Sequence, residues 1–149
     1  MGPLKLPIRG AVYVDTSAVI YMVERVEPYA EHLHPMRQAA EEGHLRLVAS
    51  VLVLLEALVK PLRDGNAVLV DVYRDALVHS NEFRLAGVDE LIAERAAHIR
   101  STTGLSTPDA IHAATALEEH IDLFVTNDSG FQRVPGLPVT LLSQCVDVG

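Results

Sequence analysis

Short apolar runs alternate along the chain with segments whose apolar residues recur every three or four positions. Residues 11–14 form a brief β-branched run, the signature of a strand. Ser17 follows as a cap for a helix carrying Val19, Ile20 and Val23. Pro28 suits the first position of a second helix, which runs to about Glu42 and stops at Gly43. Pro35 inside that segment predicts a kink or break. Residues 45–49 read as a second strand. Ser50 then caps a helix over 51–60, which Pro61 helps to end. Residues 63–66 form a turn, 67–78 a helix and 83–86 a third strand. Val88, Leu91, Ile92, Ala96 and Ile99 follow helical spacing up to Gly104. Thr107 as cap and Pro108 at the first position open a helix through about Glu119. Residues 121–126 make a strand, 127–138 a Gly/Pro-rich loop, and 139–142 a closing strand.

Strands alternating with helices predict an α/β fold with a mainly parallel sheet covered on both faces. A chain of 149 residues favours a single domain, here 1–149, with 1–10 as an N-terminal extension of no assigned role. Aromatic residues are sparse and Trp is absent, so the core must be built mainly from Val, Leu, Ile and Ala. The single cysteine, Cys145, excludes an internal disulfide and a Cys-based metal site, and fits a reducing compartment. Residues 1–10 contain no apolar run of signal-peptide length. The most apolar stretch, 51–59, is too short to span a bilayer and is interrupted by Glu56. The chain therefore reads as cytoplasmic, with no membrane partner.

The formal net charge of −8 argues at first against a nucleic-acid partner. The position of four of the acids changes that. Ligand sites in α/β folds lie at the carboxyl ends of strands. Asp15 directly follows the first strand, and Asp128 follows the strand ending at Thr126 by two residues. Either alone could be an ordinary cap or Asx turn. Asp109 lies in the first turn of its helix, where the dipole favours an acid anyway. The small residues that follow it would allow close packing on the sheet and bring it near the strand ends. Glu56 is the only polar side chain between Val51 and Val59, with no face of that helix obviously wet. An unpaired buried carboxylate costs roughly several kcal/mol, so a cation or an ion pair with Lys60 should accompany it. Clustered carboxylates repel one another unless a cation intervenes, and an oxygen-only set favours Mg²⁺ or Mn²⁺. Removing four ligand charges from −8 leaves −4, which weakens the electrostatic objection. His112, three residues after Asp109, reads as a packed or hydrogen-bonded histidine, and Tyr13 and Tyr21 as packing residues rather than base-stacking ones.

The segments Val12-Tyr13-Val14-Asp15-Thr16-Ser17-Ala18, Leu55-Glu56-Ala57-Leu58, Thr107-Pro108-Asp109-Ala110-Ile111-His112-Ala113-Ala114-Thr115-Ala116 and Thr126-Asn127-Asp128-Ser129-Gly130-Phe131 resemble, in this order and spacing, the PIN-domain family. The size is most similar to VapC-type toxins of toxin–antitoxin pairs. The resemblance covers about 12–142. It implies a Mg²⁺- or Mn²⁺-dependent endoribonuclease, often dimeric, inhibited by a cognate antitoxin. It also implies that Asp15, Glu56, Asp109 and Asp128 are the catalytic, metal-holding quartet, with Ser17, Thr126 and Asn127 in support. Hydrolysis by in-line attack of a metal-activated water would leave a 5′-phosphate and a 3′-hydroxyl. Other readings are an RNA-processing PIN nuclease without an antitoxin and a non-catalytic PIN scaffold. A phosphoacceptor domain or an Asp-x-Asp phosphatase lacks its second acid, since Thr16 and Ser17 follow Asp15. Residues 29–42 and 66–78 are candidate oligomer or antitoxin surfaces.

Overall fold

A computed structural model describes residues 4–145. The chain runs β1 (Gly10–Val14), α1 (Thr16–Val23), α2 (Tyr29–Glu41), β2 (Leu45–Ser50), α3 (Leu52–Arg63) and α4 (Ala67–Arg74). A π-type turn, Asp75–His79, leads to β3 (Phe83–Ala86). Then follow α5 (Glu90–Thr103), α6 (Thr107–Glu118), β4 (Leu123–Thr126), a 3₁₀ turn at Ser129–Arg133, β5 (Val139–Leu141) and α7 (Leu142–Cys145).

The five strands form one sheet in the order β3-β2-β1-β4-β5, and every pairing is parallel. The chain walks outward from β1 through β2 to β3, then crosses back to place β4 on the other side of β1. Two crossovers therefore diverge between β1 and β4, which opens a crevice at the carboxyl ends of that pair.

The alternating side chains of β1 feed two separate cores. Val12 and Val14 join Val19, Leu33, Met36, Val53 and Leu58 beneath α1 to α4. Ala11 and Tyr13 join Ile92, Ile99, Phe124 and Phe131 beneath α5 and α6. Because both faces are covered, β1 reads as a continuous apolar run rather than an alternation. On α6, Ala110, Ala113, Ala114 and Ala116 are all fully buried. Their lack of bulk lets the α6 backbone lie close to the sheet. Leu4 and Leu6 pack against the first core, so part of the N-terminal extension is held to the body. No helix among the described residues is long and apolar enough to cross a membrane.

Several sequence expectations shift by a residue or more. Asp15, not Ser17, caps α1, and Ser106, not Thr107, caps α6. Pro28 precedes α2 rather than opening it, and Pro35 lies within that helix without dividing it. Ser50 ends β2, yet its hydroxyl still accepts the Leu52 N–H at 3.1 Å, so it serves the helix start from outside. Pro61 does not end α3, which continues to Arg63. The segment 67–78 divides into α4 and the π-type turn. Of the spaced apolar residues in 88–99, Ile92, Ala96 and Ile99 are buried while Val88 and Leu91 are exposed. The strand expected at 121–126 starts at Leu123, and the closing strand ends at Leu141 where α7 begins.

Candidate active site

Asp15 is placed by the sheet and held by its own helix. Its backbone N–H continues the parallel ladder to Val125 O at 3.3 Å, which sets it beside the end of β4. Its extended backbone makes it the N-cap of α1, where Oδ1 accepts the Ala18 N–H at 3.1 Å and the Ser17 hydroxyl at 2.8 Å. Its other oxygen, Oδ2, accepts the Thr126 hydroxyl. Asp15 is 5% exposed. Burial pushes its carboxyl above the ordinary range, against the pull of the Thr126, Ala18 and Ser17 donors.

Thr126, fully buried at the end of β4, ties two acids together. Its hydroxyl donates to Asp15 and accepts the Asp128 N–H at 3.0 Å. Asp128 then opens the 3₁₀ turn, with Oδ1 accepting the Gly130 N–H at 2.8 Å. Asn127 bridges outward, donating to the Tyr21 hydroxyl at 3.2 Å and accepting the Ser143 N–H at 3.0 Å. It braces the loop after β4 against α1 and α7.

Glu56 reaches the same place from α3. Its Oε1 accepts the Thr16 hydroxyl at 2.8 Å and lies 2.8 Å from His112 Nε2. The His112 contact is the main cause that holds this carboxyl below its ordinary range; burial opposes it, and Thr16 adds to the pull. Among the described residues no salt bridge joins Glu56 to Lys60. The expectation that this helix has no wet face is overturned: Val51, Leu55, Val59 and Leu62 are exposed on its outer side. Glu56 is instead half-buried on the side facing α1 and α6.

Asp109, in the first turn of α6, is also half-buried. Burial is the main cause that raises its carboxyl pKa, the Ser106 hydroxyl opposes it, and the nearby charges of Asp128 and Glu56 raise it further. His112, one turn along α6, is 2% exposed and hydrogen-bonded on both ring nitrogens, Nδ1 lying 2.7 Å from the Tyr13 hydroxyl. It is the buried, hydrogen-bonded histidine expected, and its partner is one of the four acids. Tyr13 packs in the core, stacked on Phe124 with ring centroids 4.9 Å apart.

Asp15, Glu56, Asp109 and Asp128 line one cavity of about 270 Å³, together with Thr16, Ser17, Tyr21, His112, Asn127 and Phe131. No Lys or Arg is among its lining residues. A larger cavity of about 660 Å³ lies between α1 and α2, but there two cations, Arg25 and Arg37, offset most of the charge of Glu27, Glu31 and Glu41. The four-acid cavity has no such internal compensation. Its donors are mainly carboxylate and hydroxyl oxygens, with the Asn127 amide and with His112 already turned to Glu56, and this set fits a hard divalent cation. The acids surround the space without closing on a point: among the described residues no three acidic or imidazole groups form a ready-made metal cage. Sequence reasoning did not single out Thr16 or foresee the contact between Tyr13 and His112. Both depend on the approach of α1, α3 and α6, which no local pattern encodes.

Comparison with known proteins agrees with this architecture. The family model described as "PIN domain" matches residues 12–137. No curated protein sequence matches the chain. Among solved structures, the VapBC2 complex of Rickettsia felis, bound to a DNA fragment from its promoter, has a chain that superposes with a TM-score of 0.66 at 16% identity, over 88% of this chain and 98% of that one. A toxin–antitoxin complex from Klebsiella pneumoniae gives a TM-score of 0.66 at 23% identity, covering 88% and 97%. VapC20 of Mycobacterium tuberculosis, a toxin that cleaves the sarcin–ricin loop, gives 0.63 at 20% identity, covering 81% and 92%. At these identities the likeness is one of fold.

Proposed function

Because this chain belongs to the PIN-domain family, we propose that it is a metal-dependent endoribonuclease that hydrolyses RNA phosphodiester bonds, acting as the toxin of a type II toxin–antitoxin pair. The PIN fold is typically a metal-dependent nuclease. The observation that carries the reading is the gathering of four carboxylates, from four separate elements, into one cavity without a cationic side chain beside the β1/β4 divergence. Asp15, Glu56, Asp109 and Asp128 would hold Mg²⁺ or Mn²⁺. Such an ion, when bound, supplies an activated water and charge neutralisation at the phosphate.

The chain's own groups divide the remaining work. Ser17 and Thr126 orient Asp15, and Thr126 also fixes the backbone of Asp128. Asn127 braces the loop that carries Asp128. Asp109 and Asp128 line the cavity with no Lys or Arg among its described lining residues, and negative charge there would repel a bare phosphate and make RNA entry depend on the cation. A cognate antitoxin and a homodimer belong to the same reading. The structural neighbours found in toxin–antitoxin complexes support the first.

The test is cleavage of total cellular RNA by purified, antitoxin-free protein with Mg²⁺ or Mn²⁺, followed by sequencing and chemical typing of the new ends. Discrete cuts leaving 5′-phosphates, lost with a chelator and in Asp15→Asn, are expected. A 2′,3′-cyclic phosphate would overturn the hydrolytic route. Absence of cleavage by folded, metal-loaded protein would favour a non-catalytic scaffold.

A further inference from the structure

A chain of hydrogen bonds runs from the sheet through the second core to Glu56, and its direction can be read atom by atom. The Ser50 N–H donates to the Tyr13 hydroxyl at 3.1 Å. That hydroxyl lies 2.7 Å from His112 Nδ1, and His112 Nε2 lies 2.8 Å from Glu56 Oε1. Tyr13 is fully buried and His112 nearly so. A buried phenol must place its own proton on an acceptor. Ser50 N is a donor, so the only acceptor given to Tyr13 among the described residues is Nδ1. With Nδ1 accepting, the imidazole proton sits on Nε2 and points at Glu56 Oε1, at 2.8 Å the nearer of its two neighbours, the Thr16 hydroxyl oxygen being at 3.3 Å.

Glu56 Oε1 therefore receives two donors, the His112 Nε2–H and the Thr16 hydroxyl at 2.8 Å. No protein donor reaches Oε2 among the described residues. We infer that Tyr13 and His112 are positioning residues that fix the Glu56 carboxylate through Oε1, so that it offers a single oxygen, Oε2, to a divalent cation. The inference rests on the metal-site reading above and adds the mode of ligation. It assigns Tyr13, a core residue by every measure of burial, a part in the site it never touches.

Two measurements separate this inference from the nuclease reading. The first is ¹⁵N NMR of the His112 ring in metal-free protein, which reports the tautomer with no cation involved. The expected result is a neutral ring protonated on Nε2, with the Nδ1 resonance shifting in Tyr13→Phe as the phenolic donor is lost. A proton on Nδ1, or a doubly protonated ring at neutral pH, overturns the relay whatever the protein does with metal. The second is Mn²⁺ titration by calorimetry on wild type, His112→Gln, His112→Leu and Tyr13→Phe, each checked for folding by circular dichroism. Gln keeps a donor near the Nε2 position and is expected to bind Mn²⁺ close to wild type. Leu removes that donor and is expected to weaken binding about 10- to 100-fold, the usual range for groups that orient a ligand. Tyr13→Phe is expected to fall between them. Wild-type affinity in folded Tyr13→Phe and His112→Leu overturns the positioning role. If His112→Leu does not fold, Tyr13→Phe and the ring spectrum decide. Failure of wild type itself to bind Mn²⁺ overturns the metal-site reading and the single-oxygen ligation with it, while the spectrum still decides whether the relay holds Glu56.

Discussion

Asp15 and Asp89 are built alike at the carboxyl rim of the sheet and do different things. Each follows a strand, adopts an extended backbone and caps the next helix by accepting the N–H three residues on, Ala18 at 3.1 Å and Ile92 at 3.0 Å. Asp15 stands at the centre, where β1 and β4 diverge; Asp89 stands beyond β3, the outermost strand on its side. At the centre, Glu56, Asp109 and Asp128 converge with Asp15 on a cavity without a cationic residue among its described lining residues. At the edge, the cavity beside Asp89 includes Arg84, already bridged to Glu119 at 3.1 Å. The difference lies in strand order: a capping acid becomes a site acid when a second crossover delivers other acids to the same spot.

The largest expected effect sharpens that contrast directly. Asn caps a helix about as well as Asp, so Asp15→Asn preserves the start of α1 while removing the charge. It is expected to reduce RNA cleavage by more than about 100-fold, beyond the range for residues that only orient a ligand, with the melting temperature little changed. Asp89→Asn is expected to leave cleavage intact, and equal losses in the two variants would break the comparison. Thr126→Val keeps the shape but removes the hydroxyl shared by Asp15 and Asp128. Gel assays should show cleavage lowered by about 10- to 100-fold, again the range for orienting groups.

A smaller effect concerns stability. Burial and the neighbouring acids raise the Asp109 pKa in the folded state. Between its unfolded and folded values the native state therefore binds more protons, and stability falls as pH rises through that window. In metal-free protein, Asp109→Asn is expected to melt a few degrees higher than wild type at neutral pH. Below the ordinary carboxylate range the two should melt alike, because both states then hold the proton. Glu56 has the opposite sign: its pKa is lowered, so its contribution is present above the ordinary Glu value and lost as pH falls through the folded one. A melting curve for Asp109→Asn that coincides with wild type at every pH would refute the crowding of charge at the centre. The smallest effect is at the edge, where Asp89→Ala should cost about 1 kcal/mol of stability, the usual worth of a cap, measured by urea unfolding, with no change in cleavage.

Much of this was legible in the sequence because it depends on local rules. The α/β architecture and the third strand follow from periodicity and punctuation; Asp15 and Asp128 stood out at strand ends, Asp109 at a helix start and Glu56 within an apolar helix. What failed was also physical. Ser17 and Thr107 are good capping types, but each has a better-placed neighbour, Asp15 and Ser106, whose extended backbone aims its oxygen at the helix. Pro61 withholds the N–H that would bond the carbonyl of Ala57, yet α3 runs on to Arg63. Glu56 was singled out on the premise of a wholly covered helix; the helix has an exposed apolar side, and the acid is noteworthy for Thr16 and His112 instead. Those contacts span 40 and 56 residues of sequence, and only the packed fold brings them together.

Asp15 both starts a helix and supplies charge to the site, and this has a genetic consequence. An Asp codon becomes an Asn codon by a single nucleotide change, and Asn performs the first duty without the second. Under the toxin function proposed above, a cell selected to escape the protein would have a short mutational route to a folded, abundant and silent form. Alleles recovered from such a selection should be enriched in Asn at this position over Ala, Val or Gly, which forfeit the cap along with the charge.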